Sequence, residues 1–318
     1  MPLRVAVQMD PFERINFAGD STFAIMLKAQ ELGHTLYHCA PEDLSYAEGR
    51  LWTMGYPVTV QRVAGDNYCF GEPRILDLGR DVDVVLMRQD PPFDLGYITA
   101  THLLEQIQSE TLVVNDPASV RNAPEKLWVL DFAQFMPPTA ITRSLGLTRK
   151  FLAEHGEIVL KPLHGFAGGS VFRIGPDGRN LASLMELFNK TYREPHVIQK
   201  FLPEIAQGDK RIVLVDGKVA GAINRVPGEG EIRSKLAVGG KAAKTELTQR
   251  EQDICAALAP ELKKRGLLFV GIDVIGGQWL TEINVTSPTG IVAIDALNGT
   301  DTPAMIWAAI DRRLAATR

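Results

Sequence analysis

The residues with the clearest chemical potential lie in the last quarter of the chain. Residues 268–275 and 278–285 flank Gly276-Gly277 and read as a β-hairpin. With a two-residue turn, Ile275 pairs with Gln278 and Asp273 with Leu280, so Asp273 stands diagonally across from Glu282. Side chains alternate faces along a strand, so Asp273, Glu282 and Asn284 share one face. Two carboxylates and an amide oxygen are hard donors of the kind Mg²⁺ takes, with water and phosphate oxygens completing its shell. A solvated strand face has the same spacing.

Three further segments could handle anions. Lys161 ends the apolar run Ile158-Val159-Leu160 and precedes Gly165-Phe166-Ala167-Gly168-Gly169-Ser170. Glycines let the backbone approach a phosphate, and successive N–H groups can form an anion-binding nest. A tight hairpin would use the same residues. No Gly-Lys-Ser/Thr opens a helix here, so this is not a Walker loop. Arg211, in Gly208-Asp209-Lys210-Arg211, offers a planar donor fork to a phosphate, or the polar flank of a surface turn. Arg88, in Met87-Arg88-Gln89-Asp90-Pro91-Pro92-Phe93-Asp94, follows a buried strand. A guanidinium there can clamp a carboxylate, or pair internally with Asp90 or Asp94.

These segments need a scaffold. In the first third, strands at 5–9, 36–39, 82–87 and 112–115 alternate with helices, one opened by Asp20-Ser21-Thr22 and ended by Gly33. That alternation predicts a parallel sheet with ligand groups at the strand C-terminal ends. The middle predicts a helix at 124–132 and then a small α+β module. Its strands are at 139–142, 158–162, 171–174 and 197–201, with helices at 148–155 and 181–192. In the last third, strands at 211–215 and 218–224 flank Asp216-Gly217, a type I′ turn signal. Residues 227–244 are polar, glycine-rich and too long for a plain connector. Helices follow at 249–265 and 303–315. The expected division is 1–122, 123–202 and 203–318.

Composition excludes some functions. The chain has 318 residues, 45% hydrophobic and 23% charged, with a formal net charge of −4 and no basic tract. That argues against nucleic acid or an anionic membrane as the main partner. No apolar run approaches the roughly 20 residues needed to span a bilayer, and the N-terminus lacks a signal-peptide layout. Cys39, Cys69 and Cys255 are odd in number and far apart, which points to a reducing cytoplasm.

Lys126, Lys161, the glycine segment, Gln199-Lys200-Phe201-Leu202, Arg211, Asp273, Glu282 and Asn284 follow one another in an order that resembles the ATP-grasp superfamily. Met9-Asp10-Pro11, the Met87 to Asp94 segment, Gly208 to Arg211 and Thr281-Glu282-Ile283-Asn284-Val285-Thr286-Ser287-Pro288-Thr289-Gly290 look specifically like the bacterial type of glutathione synthetase. The likeness covers nearly the whole chain. It implies a fold of mixed α/β and α+β class, a parallel-sheet pre-ATP-grasp domain followed by a two-part ATP-grasp fold. It implies ligation of γ-glutamylcysteine to glycine through an acyl phosphate, giving glutathione, ADP and phosphate. ATP would act with Mg²⁺, as two ions, or with Mn²⁺ in its place.

The resemblance also distributes roles. Lys126, Lys161, Gly168, Gly169, Ser170, Gln199, Lys200, Phe201, Leu202 and Asp209 would bind nucleotide. Asp273, Glu282 and Asn284 would bind metal, and Arg211 and Arg233 would serve catalysis. Arg88, Asp90, Asn115, Ser287 and Thr289 would contact substrate. Residues 227–244 match the family's flexible lid in position, and the family suggests a cytoplasmic homotetramer. Other readings are a different carboxylate–amine ligase, such as a dipeptide ligase or a glutamate-adding enzyme, and a non-catalytic ATP-binding scaffold. The scaffold would lose the metal carboxylates, yet Asp273 and Glu282 are present. A dehydrogenase would need Gly-x-Gly-x-x-Gly after the first strand, which is absent.

Overall fold

The computed structural model describes residues 1–165, 168–228, 233–234 and 239–317. The first third forms β1 (Arg4–Gln8), α1 (Ser21–Glu31), β2 (Thr35–Cys39), β3 (Ser45–Ala47), β4 (Arg50–Val60), β5 (Tyr68–Phe70), β6 (Arg74–Asp77), β7 (Val84–Met87), α2 (Leu95–Glu105), β8 (Leu112–Val114) and α3 (Pro117–Arg121). Asp20 caps α1, accepting the Phe23 N–H at 2.6 Å. Strands β2-β1-β7-β8 run parallel as the alternation predicts. The sheet is then extended by β4, which pairs antiparallel with β2 and carries β3, β5 and β6. Gln8 and Met87 end the central strands β1 and β7, so Asp10 and Arg88 lie at the ligand end of the sheet.

Residues 124–132 do not form the expected α-helix. A 3-10 segment, Trp128–Phe135, takes their place, with a non-helical break at Phe132. Trp128, Val129, Phe132 and Phe135 are all buried there, and burying bulky groups with poor helix propensity overrides the local pattern. The central module follows: β9 (Thr139–Thr142), α4 (Leu145–His155), β10 (Ile158–Pro162), β11 (Phe172–Ile174), α5 (Leu181–Thr191) and β12 (His196–Lys200). Its sheet runs β11-β10-β12-β9, all antiparallel. Leu152, Leu160, Met185, Phe188 and Ile198 give it a core of its own.

The last third contains β13 (Asp209–Val215), β14 (Lys218–Val226), β15 (Lys241–Lys244), α6 (Gln249–Lys264), β16 (Phe269–Ile275), β17 (Trp279–Asn284), α7 (Ile291–Asn298) and α8 (Thr302–Thr317). The sheet order is β15-β14-β13-β16-β17. Asp216 and Gly217 both have positive φ (52° and 74°), as a type I′ turn requires. Of the expected lid, residues 229–232 and 235–238 lie outside the described residues. Its last four residues are strand, pairing with β14.

The first and last thirds share their cores. Trp307 on α8 is fully buried and donates its indole N–H to the Ile25 carbonyl of α1 at 3.0 Å. Asn115 donates to the carbonyls of Phe269 and Val285 and accepts the Phe269 N–H, each at 2.8 Å.

Histidines provide a pH test of this packing. Burial is the largest influence on His34, His38 and His196, and it lowers the pKa of each. Nε2 of His34 and Nδ1 of the other two are buried without a partner among the described residues. His34 Nδ1 accepts the Leu3 N–H at 3.3 Å, a bond only the unprotonated nitrogen can take. With folded pKa values depressed, protons bind the unfolded chain first. The stabilisation is therefore complete above the unfolded pKa of about 6.5 and is lost as pH falls below it. Calorimetric melts should show a steady midpoint near pH 7–8 and a fall below about pH 6.5, less steep in His196→Gln. A midpoint unmoved down to about pH 5 would contradict this.

Candidate active site

Three neighbouring strands set the site. Arg211 on β13 pairs with Asp273 on β16, and Asp273 pairs with Glu282 on β17, so the three stand in one row. The hairpin register differs from the one counted from the sequence. The turn takes Gly276, Gly277 and Gln278, so Ile275 faces Trp279 and Val274 faces Leu280. Thr281 is then an extra residue before the Asp273–Glu282 pair. That bulge brings the two carboxylates directly opposite, not diagonal. Thr281 Oγ1 closes it by donating to the Asp273 carbonyl at 3.1 Å.

The row is buried and charged. Arg211 grips Asp273 with Nε and Nη2, at 2.7 and 3.1 Å. Gly271 makes the room, since a Cβ there would stand 2.9 Å from Arg211 Nη1. Arg225 on β14 faces Asp209, donates to both its carboxylate oxygens, and lies 3.0 Å from Asp273 Oδ1. None of these four side chains belongs to a residue more than 6% exposed. Burial works against the charge of Arg225. Asp273 and Asp209 outweigh it and raise its pKa above the usual value.

The Asn284 amide N–H donates to the Gly271 carbonyl at 3.3 Å and lies 3.5 Å from Asp273 Oδ2, which leaves its oxygen for another partner. Among the described residues, no group of three or more His, Cys, Asp or Glu is arranged for a metal. The Asp273–Glu282 pair with the Asn284 oxygen is nevertheless an oxygen-only donor set. It suits a hard cation that draws its other ligands from elsewhere.

A cleft enclosing about 850 Å³, solvent-open space included, separates this sheet from the central module. Lys161 enters it from β10 of the central module and Lys126 from the segment beside β17, where the Glu125 carbonyl accepts the Ile283 N–H at 3.1 Å; the two converge on Glu282 Oε1, at 3.8 and 3.6 Å. Lys126 also pairs with Glu125 and donates to the Gly165 carbonyl at 2.6 Å. Gly168 has φ 77° and Ser170 has φ 56°. The Arg233 side chain lies against Gly168, 3.8 Å from where a Cβ would be. Ser170 is exposed and accepts the Tyr192 hydroxyl at 3.3 Å. Phe166 and Ala167 lie outside the described residues.

The far wall is the end of β12. The buried Gln199 donates its amide to Thr139 Oγ1 at 2.8 Å. Lys200 is exposed, and its N–H donates to the Pro138 carbonyl at 3.0 Å. Proline has no N–H to return, so the Lys200 carbonyl lacks that ladder donor. The Phe201 N–H goes to Glu157, whereas the Leu202 N–H makes no backbone bond among the described residues. Lys200 and Leu202 thus bring an acceptor and a donor to the same edge of the cleft.

Across from the row, the N-terminal domain contributes Arg88. It is buried, donates from Nε to Thr22 Oγ1 and from Nη2 to the Pro288 carbonyl, both at 2.9 Å, and covers the Phe269 ring. Its alternative pairing with Asp90 or Asp94 is not formed. Asp94 caps α2 and Asp90 is exposed, its N–H held by Asp10 at 2.8 Å. Ser287 Oγ donates to the Arg88 carbonyl at 3.3 Å, and the Thr289 carbonyl accepts from Arg211 Nη1 at 3.3 Å. Asn115 sits behind them, its amide engaged by backbone on both sides.

Comparison with known proteins gives this arrangement a family. Residues 3–121 match the model of the prokaryotic glutathione synthetase N-terminal domain, and residues 125–299 that of its ATP-grasp domain. The chain belongs to the prokaryotic glutathione synthetase family. It is 56% identical to the glutathione synthetase of Rhodopseudomonas palustris, over 99% of this chain and all of that one. Identity is 55% with that of Bradyrhizobium diazoefficiens, over the same shares. The fold is similar to the crystal structure of D-cycloserine synthetase DcsG, with TM-score 0.66 and 19% identity over 98% of this chain and 99% of that one. It is also similar to the ATP-grasp ligase PsnB in complex with a precursor variant, Mg and ADP, with TM-score 0.61 and 17% identity over 100% and 99%. This member of the family is an ATP-dependent ligase with the ATP-grasp fold.

Sequence reading missed Arg225 and Glu125. An unbroken count back from the Asp216-Gly217 turn sets Asn224 opposite Asp209; a bulge at Val213/Leu214 sets Arg225 there instead. Glu125 carried one available signal, its position beside Lys126. If the buried pairing holds the site together, Arg225→Met should lower the unfolding free energy by about 3 kcal/mol and cut turnover. Arg225→Lys restores the charge without the fork and should recover only part of the loss. Urea denaturation of the two variants checks this, and parent-like stability in Arg225→Met would contradict it.

Proposed function

We propose that this enzyme joins the cysteinyl carboxylate of γ-glutamylcysteine to the amine of glycine, with ATP converted to ADP and phosphate. The observation that carries the reading is the buried row Arg211–Asp273–Glu282 with Lys126 and Lys161 converging on Glu282, in a chain so similar to glutathione synthetases. An ionised carboxylate is a poor electrophile. Its oxygen attacks the γ-phosphorus and the bond to ADP breaks, leaving an acyl phosphate. The glycine amine then attacks the acyl carbon, phosphate departs with the C–O electrons, and the nitrogen loses a proton.

Lys126 and Lys161 face the polyphosphate, with the Gly168-Gly169-Ser170 turn beneath it and Arg233 above Gly168. Arg211 stands where charge builds on the transferred group. The Lys200 carbonyl and Leu202 N–H read the adenine edge between Gln199 and Phe201. Asp209 holds Arg225 beside Asp273. Asp273, Glu282 and Asn284 would hold Mg²⁺, as two ions or with Mn²⁺ in its place. When bound, the cation offsets negative charge on the phosphates. Arg88, Asp90, Ser287 and Thr289 line the substrate side, with Asn115 supporting them. No helix among the described residues is long and apolar enough to cross a membrane; the working form is a homotetramer in the cytoplasm.

A coupled ADP-release assay tests the reaction. ADP release should require γ-glutamylcysteine and glycine together; release driven by paired alanines or by glutamate would move the assignment to another ligase. Glu282→Gln should cut turnover roughly 100-fold or more while weakening nucleotide binding far less. In titration calorimetry, Lys161→Ala should weaken ATP binding strongly and Lys200→Ala little, because Lys200 acts through its backbone. The opposite ranking would refute these roles.

A further inference from the structure

The charged groups around the Asp273–Glu282 pair are matched among themselves. Four cations, Arg211, Arg225, Lys126 and Lys161, face four carboxylates, Asp209, Asp273, Glu282 and Glu125. All but Glu125 belong to residues no more than 9% exposed. Both carboxylates of the oxygen donor set are therefore engaged by cations of the chain itself, but in different ways.

Asp273 is held by guanidinium groups of its own sheet. Arg211 reaches both its oxygens, at 2.7 and 3.1 Å, and Arg225 stands 3.0 Å from Oδ1. Each arginine is fixed by a further partner, Arg211 by the Thr289 carbonyl and Arg225 by the Asp209 carboxylate. Glu282 is met instead by two ammonium groups, both at Oε1, at 3.6 and 3.8 Å. That separation is too long for a hydrogen bond, so the attraction to this oxygen is coulombic and undirected. A lysine is a point charge on a flexible four-carbon stem, whereas an arginine fork is fixed by its plane. Of the two carboxylates, Glu282 is the one whose partners can leave.

We propose that Lys126 and Lys161 lock Glu282 against a divalent cation until a nucleoside polyphosphate draws them away, so that cation and nucleotide enter the cleft as a mutually dependent pair. This rests on the ligation reading above, which brings both to this cleft. A divalent cation entering alone meets two ammonium groups at the oxygen it needs, and it unbalances a neutral, largely buried cluster. A polyphosphate entering alone draws the lysines toward its own charge and strips Glu282 of their compensation. Each ligand removes the obstacle to the other. The coupling is reciprocal: whatever factor the nucleotide adds to cation affinity, the cation adds to nucleotide affinity.

Mn²⁺ reports on the lock without turnover, because paramagnetic resonance measures the free ion. With no nucleotide present, the parent should bind Mn²⁺ weakly. Lys126→Met and Lys161→Met should each bind it roughly 10-fold more tightly, an ordinary magnitude for coupled sites. Lys200→Met removes an exposed cation that lines the same cleft. It should shift Mn²⁺ affinity by less than about 2-fold, because an exposed charge is screened. Adding Glu282→Gln to Lys161→Met should abolish the gain. ADP should raise Mn²⁺ affinity about 100-fold in the parent and by a smaller factor in either lysine variant. Unchanged or weaker nucleotide-free binding in both lysine variants, or an equal gain in Lys200→Met, would overturn the proposal. So would a parent that binds Mn²⁺ as tightly without ADP as with it, a result that needs no variant. Should one lysine variant fail to fold, the other and the parent measurement decide. A parent that binds no ADP refutes the ligation reading and this one with it. A parent that ligates γ-glutamylcysteine to glycine, with no gain in either lysine variant, refutes this one alone.

Discussion

Burying four charged side chains, Arg211, Asp273, Arg225 and Asp209, in the middle of one antiparallel sheet is the constraint that shapes the catalytic half of the molecule. An isolated charge there would cost several kcal/mol, so each must meet its partner at hydrogen-bond distance. The sheet meets that demand with irregularities. One bulge moves Arg225 into register with Asp209, another moves Glu282 opposite Asp273, and a missing side chain at Gly271 admits the Arg211 guanidinium. Arg211 and Arg225 together leave Asp273 surrounded by positive charge. Glu282 is compensated from the other wall by Lys161 of the central module, and by Lys126 from the segment beside β17. The cleft is thus bridged by attraction between its walls.

Much of this was legible in the residues. Period-two alternation put Asp273, Glu282 and Asn284 on one face, and the register confirms that Asp273 and Glu282 are neighbours. The Asp216-Gly217 turn was legible because type I′ geometry has a strict chemical signature. The pairing detail was not, because a bulge leaves no mark in hydrophobic pattern: Thr281 and Ala220 look like ordinary strand residues. The helix expected at 124–132 failed for a different reason, since its aromatic side chains answer to the surfaces they fill and not to local propensity. β4 and its short partners escaped notice because they form an antiparallel extension outside the repeating strand–helix pattern. Arg88 was singled out for its place after a buried strand, but only the structure shows that Asp94 is occupied as a helix cap.

The end of β12 shows how a single residue without a donor can open a binding edge. Pro138 is the last residue before β9 and stands beside Lys200. Any other residue could return a hydrogen bond to the Lys200 carbonyl and complete the ladder. Proline cannot, so the sheet ends one bond early on the side that faces the cleft.

The clasp between α1 and α8 has a consequence for biosynthesis. The apolar cluster that holds Val5, Phe23 and Met26 also includes Ile306, Trp307 and Ile310, so residues from the two ends of the chain share one core. A ribosome delivers roughly 5–20 residues each second. The opening strand and helix are therefore made well before the side chains that cover them. Through that interval they leave an apolar face in water, while the central module, whose core is drawn entirely from its own residues, can already close. The nascent chain is set to fold from the middle outward, and its first-made third is the part in most need of protection until translation ends.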